Sequence, residues 1–160
     1  MITGFVGCTV KLPDDALRTH VFNWISAHLR EQRVSAAFVG MGPGIDHWIG
    51  WACIVAGVPF CAVLDYDGMQ NEMHDEDRAS FDAILARASK VEILADKEQY
   101  AAPGMYVYAR ANRNRWIIHA SNRMTFVVNS KRGPVVDAIQ HAEALEVPYT
   151  SLDLTNWVSP

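Results

Sequence analysis

Two glycine-bearing corners and a run of arginines hold the residue types from which a phosphate site is built. Residues 38–48 read FVGMGPGIDHW, so Gly40, Gly42 and Gly44 surround Pro43 and Asp46 follows. Glycine lets backbone N–H groups come close to an anion and permits positive φ. A helix starting here would aim its N-terminal amides, and the positive end of its dipole, into the same space. Asp46 could accept hydrogen bonds from a ribose. A plain strand-to-helix turn with an acid in the first helical turn explains the same spacing, and the stretch alone leaves turn and cradle both open.

The second corner, NSKRGPVVD at 129–137, places Ser130, Lys131 and Arg132 beside Gly133. Here cationic side chains would supplement the backbone donors, although a solvated basic loop fits as well. Pro134 removes one N–H but suits a first helical turn. The arginines are in RANRNRW, which supplies Arg110, Arg113 and Arg115. Six of the 14 basic residues lie between 110 and 132, a local concentration in a chain of net charge −4. Arginine suits bidentate phosphate or carboxylate contacts. Trp48, just past Asp46, is placed to touch a ligand, whereas Trp51 and Trp116 read as helix core. Tyr66 and Gln70 follow an apolar run and are suited to a sugar or base edge. The six histidines form no HExxH or HxH pattern, and no GxSxG or Walker sequence occurs. No metal and no cofactor is expected.

These corners need elements to hold them. Apolar runs at 2–6, 34–40, 59–65, 90–96, 123–129 and 148–154 alternate with helical patterns at 14–32, 45–57, 75–88, 111–121 and 134–146. In the first helix Leu17, Val21, Trp24, Ile25, His28 and Leu29 recur at helical spacing; Gly57 is a natural stop for the second. Such alternation predicts an α/β fold, a Rossmann-like three-layer sandwich around a mostly parallel sheet of about six strands. The strands read as apolar throughout, as expected when both faces are covered. Ligands of such folds bind beyond the carboxyl ends of the strands, after Val6, Val39, Leu64, Ala95 and Val128.

The chain of 160 residues has the size of one ordinary domain, and half of it is apolar, enough for a substantial core. The acidic balance argues against a general nucleic-acid-binding surface. No stretch is long and apolar enough to span a membrane, and the first residues lack a signal-peptide pattern. Cys8, Cys53 and Cys61 form no CxxC pair, and Cys53 and Cys61 sit in apolar runs as small hydrophobes. A reducing, cytoplasmic location is expected.

Taken together, the residues resemble the SLOG superfamily, which joins DNA-processing Smf-type proteins, Lonely Guy nucleotide hydrolases and nucleotide-sensing modules. The likeness is to its YoqJ/YpsA-like branch of small bacterial and phage proteins and covers nearly the whole chain. It rests on ITG with Gly4 in the first strand, GMGPGIDHWIGWA, Gln70, RNRWIIHASN and SKRGPVVD. The resemblance implies one SLOG-like domain over 1–160, a nucleotide or nucleotide-derivative ligand, and a homo-oligomer. In Lonely Guy enzymes an arginine in RKxxM and a glutamate in PGGxGTxxE act on a nucleotide. Arg113 falls at the first and Asp137 at the second, with Ser130, Lys131 and Pro134 replacing residues of the glycine motif. Since reacting groups must lie within about 3–3.5 Å, a carboxylate shorter by one methylene weakens the hydrolytic reading.

The expectation is therefore a binding protein for a phosphorylated nucleotide or nucleotide derivative, acting as a sensor or sequestering protein. Gly4, Gly40, Gly42, Gly44, Asp46, Trp48, Tyr66, Gln70, Arg113, Arg115, Ser130, Lys131, Arg132 and Gly133 would form its site. Within it the glycine loops hold phosphates, Asp46 the ribose, and Arg113 and Arg115 the charge. The alternative is an N-glycosidic hydrolase in which Arg113 orients the phosphosugar and Asp137 stabilises developing positive charge. Single-stranded DNA binding, as in the DNA-processing relatives, is disfavoured by the acidic balance and by the lack of an extended basic–aromatic surface.

Overall fold

A computed structural model of the chain describes residues 1–7, 15–100, 102 and 104–158. Cys8 and the expected helix start at Asp14 lie outside them. The strands are β1 (Ile2–Gly7), β2 (Ala36–Gly40), β3 (Phe60–Leu64), β4 (Lys90–Ile93), β5 (Arg123–Val128) and β6 (Tyr149–Asp153). The helices are α1 (Asp15–Glu31), α2 (Ile45–Ala56), α3 (Asp75–Leu85), α4 (Tyr106–Ala120) and α5 (Pro134–Ala144), with 3₁₀ turns at Met69–Glu72 and Lys97–Tyr100. The strands form one sheet in the order β4-β3-β2-β1-β5-β6. Every pairing is parallel. This is the Rossmann-like α/β sandwich that the alternation predicts.

The strand period of two sends alternate side chains to opposite faces. Phe5, Val39, Ala62, Leu64 and Val127 join residues of α1, α2 and α3 in one core. Val6, Val63, Met124 and Phe126 join residues of α4 and α5 in the other. The chain runs outward from β1 to β4 and then returns through α4, which packs on β1, β2 and β3 before the chain enters β5. The direction of travel thus reverses between β1 and β5, where the loops leaving two neighbouring strands part and open a crevice. The return also lays α4 beneath the ends of the three strands β1, β2 and β3, whose following loops are candidate ligand positions.

Two local differences from the sequence reading have physical causes. The edge strands are not apolar throughout: Lys90 and Val91 of β4 and Ser151 and Asp153 of β6 are exposed. An edge strand has a neighbour on one side only, and charge there blunts further pairing. α4 begins five residues before the expected Ala111. Its first turn is Tyr-Val-Tyr, with Tyr106 62% and Tyr108 63% exposed; no inward apolar residue marks the helix until Ala109. The stop at Gly57 is as expected: its φ of 67° is left-handed and its N–H caps the carbonyls of Cys53 and Ile54.

Candidate functional site

The carboxyl edge of the sheet is organised around one buried arginine. Arg113 projects from the inner face of α4 and is fully buried, as are Asp46 at the start of α2 and Asp65 just past β3. Arg113 Nη1 donates to Asp46 Oδ2 at 2.7 Å. It also lies 3.3 Å from Asp65 Oδ1, an ion pair without hydrogen-bond alignment. Arg113 Nε and Nη2 both donate to Asn114 Oδ1, and Asn114 Nδ2 donates to the Pro134 carbonyl. Asp46 in turn accepts the Gly7 N–H on Oδ1 and the Gly42 N–H on Oδ2. Burial works against the guanidinium charge, but Asp46 and Asp65 outweigh it, and the net effect raises the arginine's pKa. A buried charge needs such compensation to be tolerated.

This network explains the glycine corner. A Cβ on Gly40 would stand 2.5 Å from Arg113 Cζ, and one on Gly42 would stand 2.7 Å from Arg110 Nη2. The close approach that these glycines permit is to the protein's own guanidinium groups. Asp46, expected to hold a ribose, is filled by two backbone amides and Arg113. Only Gly44 in this corner has a positive φ, 88°, as the residue preceding α2.

The second corner is open. A crevice of about 210 Å³ lies where β1 and β5 diverge, lined among others by Gly7, Arg110, Asn129, Ser130, Arg132 and Pro134. Ser130, Lys131 and Arg132 are exposed. Gly133 reaches φ 106°, which favours glycine. Ser130 Oγ accepts the Arg132 N–H at 3.3 Å, shaping the loop that carries both cations. Arg110 forms a wall of this crevice while lying 3.6 Å from Asp65 through Nε.

The remaining expected residues do not all converge. Gly4 is inside β1, where a Cβ would meet Ile117 and Met124, so it serves close packing of α4 on the sheet rather than a ligand at the edge. Trp48 and Tyr66 line a separate, larger groove. Gln70 sits in the first 3₁₀ turn, half-buried, with its backbone carbonyl accepting from Arg78. Arg115 is exposed on α4 on the side of α5; burial, His119 and Arg115 together lower the pKa of His141. Arg113 and Asp137 are not assembled as a reacting pair. Arg113 is enclosed by the network, and Asp137 is exposed in the first turn of α5. Sequence reasoning missed Asp65, although it closes an apolar strand at the edge where function was sought.

No protein-family model and no curated protein sequence matches the chain. Solved structures do. DNA processing protein A (DprA) from Streptococcus pneumoniae matches over 93% of this chain with TM-score 0.65 and 16% identity. DprA from Helicobacter pylori, whose structure concerns a single-stranded DNA binding mode, matches over 94% with TM-score 0.62 and 10% identity. The chain spans about half the length of the first (49%) and 64% of the second. These likenesses bear out the Rossmann-like fold, shared with the DNA processing proteins; they do not reach the YoqJ/YpsA-like branch. They also correct two expectations. A protein of this fold binds single-stranded DNA, so the fold does not single out a small nucleotide as ligand. Nor does an acidic net charge make nucleic acid an improbable partner, because binding depends on where cations lie and not on their sum. The small-nucleotide reading is withdrawn, and so is the hydrolytic one, whose two residues are apart.

Proposed function

We propose that this chain binds single-stranded DNA at the carboxyl edge of its sheet. The observation that carries the reading is the crevice between β1 and β5, lined by the exposed Ser130 and Arg132, with the exposed Lys131 between them in the same loop and Gly133 next. Cations and a hydroxyl at the mouth of a topological switch point suit backbone phosphates. Aromatic faces are the second requirement for sequence-tolerant binding of a single strand. Tyr106 and Tyr108 supply them from the exposed first turn of α4, and Tyr106 lies one helical turn before Arg110 on the same face. The likeness to DprA supports the choice of single-stranded DNA over other polyanions.

Under this reading residues 1–160 form one SLOG-like domain acting as a homo-oligomer, which would lengthen the track for a strand. The finer kinship to YoqJ/YpsA-like proteins rests on the sequence motifs alone. Fluorescence anisotropy with a labelled single strand of about 20 nucleotides, against a duplex of equal length, tests the function at low salt, about 50 mM. Saturable binding that favours the single strand is expected. Absence of single-strand binding by folded protein, or an equal preference for duplex, overturns it.

A further inference from the structure

A second concavity, of about 980 Å³, is opposite in character to the basic crevice. It lies among the first turns of α2, the 3₁₀ turn after β3 and the first turn of α3. Trp48, Trp51, Tyr66 and Tyr106 form aromatic walls. Its ionisable lining is dominated by six carboxylates, Asp15, Asp65, Glu72, Asp75, Glu76 and Asp77, against Arg18 and Arg110. That net of −4 equals the net charge of the whole chain, so the acidity of the protein is gathered here. Arg18 pairs with Asp15 at 2.7 Å and Arg110 with Asp65 at 3.6 Å. Glu72 pairs with Lys97 at 3.6 Å and accepts from the Tyr66 hydroxyl at 2.9 Å. The surplus negative charge therefore lies with the first turn of α3, Asp75, Glu76 and Asp77.

Acids in a first helical turn are favoured by the helix dipole alone. The dipole does not account for His47. It lines the same groove, is 3% exposed, and its Nε2 has no hydrogen-bond partner among the described residues. The ring's hydrogen bond with the Met41 backbone leaves Nε2 as the acceptor. Burial also keeps this imidazole neutral by lowering its pKa. A buried, unsatisfied acceptor is costly, and a donor from a ligand would relieve it.

The acceptors are spread along the groove instead of converging. Among the described residues no cluster of three or more His, Cys, Asp or Glu side chains is arranged to hold a metal ion. A point cation is therefore a poor match, and a long cation with separated charges is a good one. We propose that the groove binds a polyamine, a flexible chain of ammonium groups joined by methylenes. Its ammonium groups would lie against Asp75, Glu76 and Asp77, its methylenes along Trp48 and Trp51, and one N–H would be donated to His47 Nε2. Cation–π attraction to the indoles adds to the ion pairing. Polyamine binding here does not depend on the chain binding DNA.

Isothermal titration of the full chain with spermidine at low salt tests this. Saturable binding near one equivalent is expected, weakened at least tenfold in Asp75→Asn/Glu76→Gln, both exposed positions where folding is retained. Trp48→Phe should keep most of the affinity and Trp48→Ala lose several-fold, with quenching of tryptophan fluorescence reporting the same transition. No saturable heat overturns the proposal, as does affinity unchanged in the double variant. Displacement of spermidine by equimolar Mg²⁺ also overturns it, by showing a response to charge alone. So does binding of an oligolysine peptide without spermidine binding, which would mark a surface for a basic protein segment.

Discussion

Arg113 and Asp46, 67 residues apart in the chain, meet through a 2.7 Å hydrogen bond at the fully buried centre of the carboxyl edge. Through this pair, with Asn114, the ends of β1 and β2 and the start of α5 are joined: Gly7 and Gly42 donate to Asp46, and Asn114 donates to Pro134. The two glycine corners that look alike in sequence therefore have different roles. One is clamped onto the protein's own arginines, and the other, held in position from behind by Asn114, faces outward with its cations exposed.

Removing Arg113 should be severe. Arg113→Ala leaves Asp46 and Asp65 as buried carboxylates without their countercharge, and loss of one partner of a buried pair costs about 3–5 kcal/mol. Urea unfolding measured by circular dichroism should show a loss of that size. Arg113→Lys restores charge but not the bidentate contact with Asn114 and should fall between. A loss below about 1 kcal/mol for Arg113→Ala, the range of exposed ion pairs, would mean that the network contributes no more than a surface pair.

Gly40 should tolerate no side chain. Its φ is not in the left-handed region, so backbone strain is not the issue. A Cβ 2.5 Å from Arg113 Cζ must displace a guanidinium that has no room to move. Gly40→Ala should cost at least the 1–3 kcal/mol typical of overpacking, read as a lowered Tm. The equivalent change at the exposed Gly57, where nothing lies within 4 Å, meets only the strain of its positive φ. A smaller loss there, about 1 kcal/mol, separates the two mechanisms.

Acid should weaken the fold through two buried histidines, His28 and His47. Burial lowers the pKa of His28, with Arg123 adding to it, and burial lowers that of His47. His28 Nε2 shares a 2.9 Å hydrogen bond with Thr125. The folded state thus takes up protons less readily than the unfolded chain. Stability is fully present above the unfolded value of 6.5 and falls as pH drops from there toward the lowered folded values. Each histidine contributes a slope of at most about 1.4 kcal/mol per pH unit. Urea midpoints between about pH 7.5 and 5 should show this decline, and His28→Gln should flatten it. An unchanged slope in the variant would remove His28 from the account.

Much of the fold is legible in the sequence because strand-helix alternation and apolar runs are local signals. They place the ends of β1, β2, β3 and β5 within a residue or two, and Gly57 and Pro134 at helix boundaries. The site is harder to read because its logic is long-range. Nothing in GMGPGID tells whether its amides face a ligand or Asp46, and nothing in RANRNRW tells which arginine turns inward. Helical spacing does place Arg113 with Ile117 on the buried face, and Asp65 ends a wholly apolar strand. An arginine on an apolar face and an acid at a strand end together signal a buried pair. The basic loop carries its cations outward, as its composition suggests, but total charge is a poor guide against their local placement.

The central claim is that the Ser130–Arg132 loop contacts the phosphates of a single strand. Its most direct test is the salt dependence of single-stranded DNA binding for the parent chain and for Lys131→Ala/Arg132→Ala, two exposed changes that leave the buried network intact. Removing one cation from a phosphate should reduce the slope of log K against log salt by about 0.7. The account predicts a slope shallower by about 1.4 in the double variant, with affinity reduced at least tenfold at low salt. A variant that binds with the parent's affinity and the parent's slope would contradict it.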